Sequence, residues 1–86
     1  MSDLTSRFEA ALAASKTLSQ RPDNATLLKL YALYKQAGAG DAEGRRPGFG
    51  DLVGRAKYDA WAALKGTPSV AAMTQYIALV ESLTAS

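Results

Sequence analysis

The sequence predicts an all-α fold, a four-helix bundle. Apolar residues recur at helical spacing in four segments, no segment alternates with period two, and good N-capping residues stand ahead of those segments. The spacing predicts a first helix over about Leu4–Leu18, with Leu4, Phe8, Ala11, Leu12, Ser15 and Leu18 on one stripe. Ser2 or Asp3 caps its amides. Gln20-Arg21-Pro22 breaks the pattern, and Asp23 or Asn24 caps a second helix over about Asn24–Ala37. Gly38 and Gly40 offer the conformations that end it. The one long irregular stretch, Gly38 to Gly50, is rich in glycine and contains Pro47. A third helix begins near Asp51 and ends at Gly66. Thr67 then caps a fourth, with Pro68 at its first position, where a missing N–H costs nothing. This helix runs to about Leu83, with Met73, Tyr76, Ile77, Val80 and Leu83 on one face. Amphipathic helices joined by one long connection describe a bundle.

Composition narrows the function classes. Eighty-six residues with 48% hydrophobic content make a single small domain, expected to span residues 1–86, with a compact core rather than a disordered chain. The absence of cysteine and histidine removes disulfides, thiolate and imidazole metal sites, and hydrolytic triads. A net charge of +2 permits an anionic partner but lacks the basic density of a nucleic-acid binder. No apolar run approaches the roughly 20 residues of a membrane span. The N-terminal MSDLTSRFEA lacks the apolar centre of a signal peptide, so a soluble, cytoplasmic domain is expected.

Several polar residues sit on unusual faces. On the second helix, Leu30, Leu33 and Ala37 form the expected core sector, with Lys29, Ala32 and Gln36 opposite, towards solvent. Between them runs a stripe of Leu27, Leu28, Tyr31, Tyr34 and Lys35, in which Tyr31 is three residues before Tyr34 and four before Lys35. From spacing alone this pattern reads first as two half-buried tyrosines beside a snorkelling lysine, with a ligand surface as the alternative. On the third helix, Val53, Ala60, Trp61 and Leu64 surround Lys57, while Asp59 points to the far side. An ammonium buried there without a partner costs several kcal/mol, so either its stem snorkels or an anion meets it. Tyr76 lies in the apolar stripe of the fourth helix, where a buried hydroxyl needs a hydrogen-bond partner. Lys16 borders the first helix's stripe and reads as surface. Gly48, Gly50 and Gly54 read as turn formers rather than a nucleotide-binding loop. Arg45-Arg46 reads as a solvated loop pair, and the acidic residues lack calcium-loop spacing.

Four ordered blocks resemble the acyl-coenzyme A-binding proteins. They are Tyr31-Ala32-Leu33-Tyr34-Lys35-Gln36-Ala37 with Gly40-Asp41, Arg46-Pro47-Gly48 with Asp51-Leu52, Gly54-Arg55-Ala56-Lys57-Tyr58-Asp59-Ala60-Trp61, and Leu64-Lys65-Gly66-Thr67. The resemblance runs from about Phe8 to Leu83. It implies an up-down-down-up bundle that binds medium- to long-chain fatty acyl-CoA thioesters and catalyses nothing. Carried over by position, Tyr31, Lys35 and Lys57 would bind the 3′-phosphate of the ligand's ribose and Tyr34 would pack on its adenine. Tyr76 and Lys16 would make further ligand contacts, and Leu27 and Leu28 would lie near the acyl chain. Phe8, Leu12, Leu18, Tyr76, Ile77, Val80 and Leu83 fit the packing of the first helix on the last. Three positions depart from the family pattern: Ser15 replaces an apolar residue in that packing, Tyr58 a usual tryptophan, and Val53 the lysine of some members.

The expected role is therefore buffering and carriage of fatty acyl-CoA, the ligand, with no cofactor and with acyl-CoA-using enzymes as partners. Neither nucleic-acid binding nor stable membrane insertion is expected, and with no extended apolar seam left over the chain is expected to be a monomer. Two alternatives belong to other classes. One is a helical module presenting Tyr31, Tyr34 and Lys35 to a protein or an acidic membrane. The other is a small acyl-CoA enzyme, which this sequence gives no evident nucleophile.

Overall fold

A computed structural model describes residues 3–85. Its four helices are α1 (Leu4–Ser15), α2 (Asn24–Ala39), α3 (Leu52–Ala62) and α4 (Ser69–Thr84), with no strand among the described residues. The caps of the first three are aspartates. Asp3 accepts the Ser6 N–H at 2.7 Å, Asp23 that of Thr26 at 2.8 Å and Asp51 that of Gly54 at 2.9 Å. Ser2, the other cap considered for α1, lies outside the described residues.

The helix ends differ from the periodicity in four places. α1 stops three residues early because the Lys16 and Thr17 amides turn to the carbonyls of Ala13 and Ala14, tightening the last turn. Leu18 therefore belongs to the connection. α2 runs two residues further: Gly38 stays helical, and Gly40, at φ +82°, ends the helix. α3 ends at Ala62 and continues as turns to Gly66, whose φ of +88° suits glycine. Gly54 lies in the first turn of α3 rather than in a loop, where a Cβ would run into the Asp51 carboxylate. The start of α4 also shifts. Pro68, not Thr67, is the N-cap residue, and no side chain caps it. The Thr67 carbonyl accepts the Gln36 amide at 2.9 Å, while the Ser69 hydroxyl donates to the Ala37 carbonyl at 2.7 Å, tying the start of α4 to the end of α2.

α2 packs on both α3 and α4, and α4 also carries α1. The register makes α2 and α3 parallel, since Leu28 lies beside Val53 and Ala56, Tyr31 beside Lys57 and Lys35 beside Trp61. α4 runs against α2, and α1 runs with α4: Phe8 stacks on Tyr76, and the chain beyond α1 passes Leu83. This is the up-down-down-up bundle. Phe8, Ala11, Leu30, Leu33, Ala37, Ala72, Tyr76, Ile77 and Val80 form the core, with Leu12 and Leu83 partly buried against it. α3 contributes no buried residue.

Two residues expected in solvent are among the most enclosed. Ala32 and Gln36 are each 1% exposed, because α2 is covered on two flanks and a one-sided wheel does not apply. Gln36 Nε2 donates to both Asp41 and the Thr67 carbonyl, joining α2 to the loop and to the start of α4. Ser15, the departure in the α1–α4 packing, also has a definite place. Its Oγ accepts the Tyr76 hydroxyl at 3.1 Å and donates to the Leu12 carbonyl at 2.7 Å. The serine thus supplies the partner that the buried phenol requires.

The long loop is strapped to α3. The Trp61 indole N–H donates to the Gly40 carbonyl at 2.7 Å and the Tyr58 hydroxyl to that of Gly44 at 3.1 Å. Arg46 is not merely solvated: its guanidinium binds Asp59 through two bonds of 2.8 and 2.7 Å, on the far side of α3 from Lys57. At the loop's start, the Asp41 carboxylate accepts the Gly66 and Gln36 N–H groups.

Ser15→Ala should destabilise the fold by about 1 kcal/mol in urea unfolding, because the Tyr76 hydroxyl is left unpaired. Adding Tyr76→Phe should recover part of that loss, and a neutral Ser15→Ala would contradict the assigned bond. Hydrogen bonds hold the carboxyls of Asp3, Asp23, Asp41 and Asp59 below the ordinary aspartate range: the Ser6 amide acts on Asp3, the Thr26 side chain and then its amide on Asp23, the Gly66 amide on Asp41 and the Arg46 guanidinium on Asp59. Each therefore adds stability that is complete above about pH 5 and lost progressively as pH falls through its unfolded-state and then its folded-state value. The thermal midpoint should hold between neutrality and about pH 5 and then fall. Asp41→Asn should fall less steeply with acid than the parent, and an equal slope would rule Asp41 out as a contributor.

Candidate functional site

The parallel pair α2 and α3 forms a ladder of facing side chains. At one end Leu28 and Asn24 of α2 meet Leu52, Val53 and Ala56 of α3 around an open apolar trough of about 270 Å³. One turn along α2, the Lys57 ammonium stands 5.3 Å from the centre of the Tyr31 ring. A further turn on, the Lys35 ammonium stands 4.8 Å from the centre of the Trp61 rings. Contacts of this kind are worth about 0.5–1 kcal/mol at exposed sites, enough to orient a lysine but not to neutralise it. On the other flank of α2, Tyr34 and Lys35 line a cleft of about 250 Å³ with Phe8, Gly38 and Ala39. Tyr34 is 48% exposed, so a ligand group can reach its side chain.

The electrostatics are one-sided. Among the described residues Arg46 and Asp59 form an ion pair, and neither Lys35 nor Lys57 has a carboxylate partner. Two ammonium groups and the Tyr31 phenol therefore offer hydrogen-bond donors on one surface with no anion of the protein to satisfy them. Such a set suits a phosphate, which takes charge-assisted bonds from ammonium and phenol. The apolar trough beside it suits a hydrocarbon chain. No group of His, Cys, Asp or Glu among the described residues could hold a metal ion.

Of the sequence-predicted site residues, Leu28, Tyr31, Lys35 and Lys57 come together along the ladder, and Tyr34 shares the second cleft with Lys35. Leu27 is half-buried on α2 but does not line the trough. Lys16 is exposed just beyond α1 and makes no hydrogen bond, ion pair or ring contact with the other seven. Tyr76 is 4% exposed, its ring edge-on to Phe8 at 5.2 Å and its hydroxyl on Ser15, so the structure places it within the core. Asn24, Leu52, Val53 and Ala56 were missed as trough residues, although 52, 53 and 56 share an i, i+1, i+4 edge that a wheel of α3 contains. Trp61 as the platform for Lys35 had no such signal, since it depends on the register between two helices. Tyr58 makes an aromatic contact, edge-on to Trp61 at 6.4 Å.

Residues 5–80 match the family described as acyl CoA binding protein. An acyl-CoA-binding protein homolog of Drosophila melanogaster is 45% identical over 82 residues, covering 95% of each chain. Human enoyl-CoA delta isomerase 2 is 47% identical over 79 residues, which are 92% of this chain but 20% of that protein. Among solved structures, acyl-CoA-binding protein 2 of Oryza sativa superposes with a TM-score of 0.89 at 41% identity, over 93% of this chain and 87% of its own. With a matched family region over most of its length, near full-length relatives and the same bundle, this chain belongs to the acyl-CoA-binding protein family.

Proposed function

We propose that the chain binds, buffers and carries medium- to long-chain fatty acyl-CoA through the ladder between α2 and α3. The observation that carries this reading is the pair of lysines, Lys35 and Lys57, held on aromatic faces without carboxylate partners at the end of an apolar trough. The 3′-phosphate of the ligand's ribose is assigned to Tyr31, Lys35 and Lys57. The adenine is assigned to the exposed Tyr34 ring, where stacking contributes roughly 1–3 kcal/mol. The acyl chain is assigned to the trough of Leu28, Leu52, Val53 and Ala56, with Leu27 at its margin, and each methylene withdrawn from water adds about 0.8 kcal/mol. Val53 keeps that trough apolar where some family members carry a charge. Lys16 remains an outlying candidate for a further ligand contact. Tyr76 acts in this reading as the core ring that fixes α1 on α4 rather than as a surface contact.

The role is binding without catalysis, in keeping with the family and with a sequence that holds no histidine or cysteine. The proposal includes a monomer working in the cytoplasm and exchanging ligand with acyl-CoA-using enzymes, since the ladder lies within one chain and needs no second copy to complete it. No helix among the described residues is long and apolar enough to cross a membrane.

Calorimetry with palmitoyl-CoA and its 3′-dephospho analogue tests the assignment. The analogue should bind at least roughly tenfold more weakly, and Lys35→Ala or Lys57→Ala should each weaken palmitoyl-CoA by roughly 10- to 100-fold at an unchanged thermal midpoint. Equal affinities for the two ligands, or two lysine variants that bind like the parent, would contradict the phosphate site.

A further inference from the structure

The two lysines of the ladder are held in opposite senses. Lys57 of α3 rests on the Tyr31 ring of α2 at 5.3 Å, and one turn further along, Lys35 of α2 rests on the Trp61 rings of α3 at 4.8 Å. Each ammonium is thus drawn across the space between the helices by a ring from the opposite side. Trp61 is itself fixed from two further directions. Its indole N–H donates to the Gly40 carbonyl at 2.7 Å, and the Tyr58 ring meets it edge-on at 6.4 Å.

Lys35 stands at a fork. Its ammonium reaches Trp61 on the α3 flank of α2, yet its side chain also lines the cleft of Phe8, Tyr34, Gly38 and Ala39 on the other flank. A lysine carries a compact charge on a flexible four-carbon stem, so its backbone position does not decide which flank receives the charge. Among the described residues no carboxylate pairs with Lys35 to decide it either. A tryptophan face within about 6 Å is the best aromatic partner for a cation. Trp61 therefore settles the fork in favour of the flank where Tyr31 and Lys57 already stand.

We propose that Trp61 is a positioning residue for the 3′-phosphate of the ligand. Its ring face delivers the Lys35 ammonium to the flank of Lys57 and Tyr31, and so sets how strongly the site prefers the phosphorylated nucleotide. The inference rests on the acyl-CoA reading and adds to it a residue that acts through Lys35 rather than by touching the ligand. The indole N–H is engaged by Gly40, so what Trp61 has to offer the site is its face. A contact between that face and an ammonium is weaker than a charge-assisted bond to phosphate, and the lysine exchanges one for the other on binding. The ring orders the lysine beforehand, so less rotamer freedom is lost when the ligand arrives.

The test is calorimetry of the whole chain with palmitoyl-CoA and its 3′-dephospho analogue, read as the ratio of the two affinities. Trp61→Leu removes the face and should lower that ratio by about three- to fivefold, weakening palmitoyl-CoA more than the analogue. Trp61→Phe keeps a face but loses the N–H, so its thermal midpoint should fall while its ratio stays closer to the parent's. In a Lys35→Ala background, Trp61→Leu should change the ratio no further, because its effect runs through that lysine. NMR of the ligand-free parent gives a reading that depends on no variant. The ε-methylene protons of Lys35, held over an aromatic face, should lie upfield of those of the exposed Lys29. A Trp61→Leu variant that weakens both ligands equally leaves Trp61 a structural role and overturns the proposal. So does a further loss of ratio in the Lys35→Ala background, a Trp61→Phe variant that loses as much of the ratio as Trp61→Leu, or a Lys35 signal coincident with that of Lys29. A parent that fails to distinguish the two ligands sinks the phosphate site and this proposal with it. A discriminating parent whose ratio survives Trp61→Leu sinks this proposal alone.

Discussion

Trp61 holds the site together through both its edge and its face. Its indole N–H donates to the Gly40 carbonyl, where a positive φ ends α2 and begins the long loop, and its rings carry the Lys35 ammonium. α3 has no buried residue of its own, so it lacks the sealed apolar seam that usually fixes a helix in a bundle. It is held instead by directed contacts: Trp61 to Gly40, Tyr58 to Gly44, Arg46 to Asp59, and Lys57 to Tyr31. A helix attached in this way can keep its apolar edge half-open. That edge, facing Leu28, is the trough.

The division of labour between the helices follows from this arrangement. The sealed core lies between α1, α2 and α4, with Leu33, Ala72, Tyr76 and Val80 near its centre. α2 belongs to both halves, burying Leu33 and Ala37 on one flank and presenting Tyr31 and Lys35 on another. Gln36 lies between the halves, and its amide joins the loop carboxylate Asp41 to the Thr67 carbonyl before α4. Stability and binding thus share one helix but use different faces of it, so surface lysines can be removed without opening the core.

Much of this was legible from periodicity. The four segments, the aspartate caps and the long glycine-rich connection all follow from spacing within single helices, where a 3.6-residue repeat is informative. What escaped required knowledge of two elements at once. Ala32 and Gln36 looked solvent-facing because a wheel assumes one buried side, whereas α2 has two neighbours. Ser15 looked like a defect in apolar packing until the Tyr76 hydroxyl supplied its reason. Thr67 looked like a cap, but its carbonyl was claimed by Gln36 from another helix, and the helix began after Pro68. Arg46 found its carboxylate thirteen residues away on α3, a pairing that loop composition does not encode.

The account rests on unneutralised cations brought together by the parallel register of two helices. A crystal structure of the chain with bound palmitoyl-CoA tests it most directly. The account places the ribose phosphate within hydrogen-bond reach of the Lys57 and Lys35 ammonium groups and the Tyr31 hydroxyl, with the hydrocarbon tail between Leu28 and Val53. A nucleotide seated instead against the α1–α4 face, with Lys57 still resting on Tyr31 and no anion nearby, would contradict it.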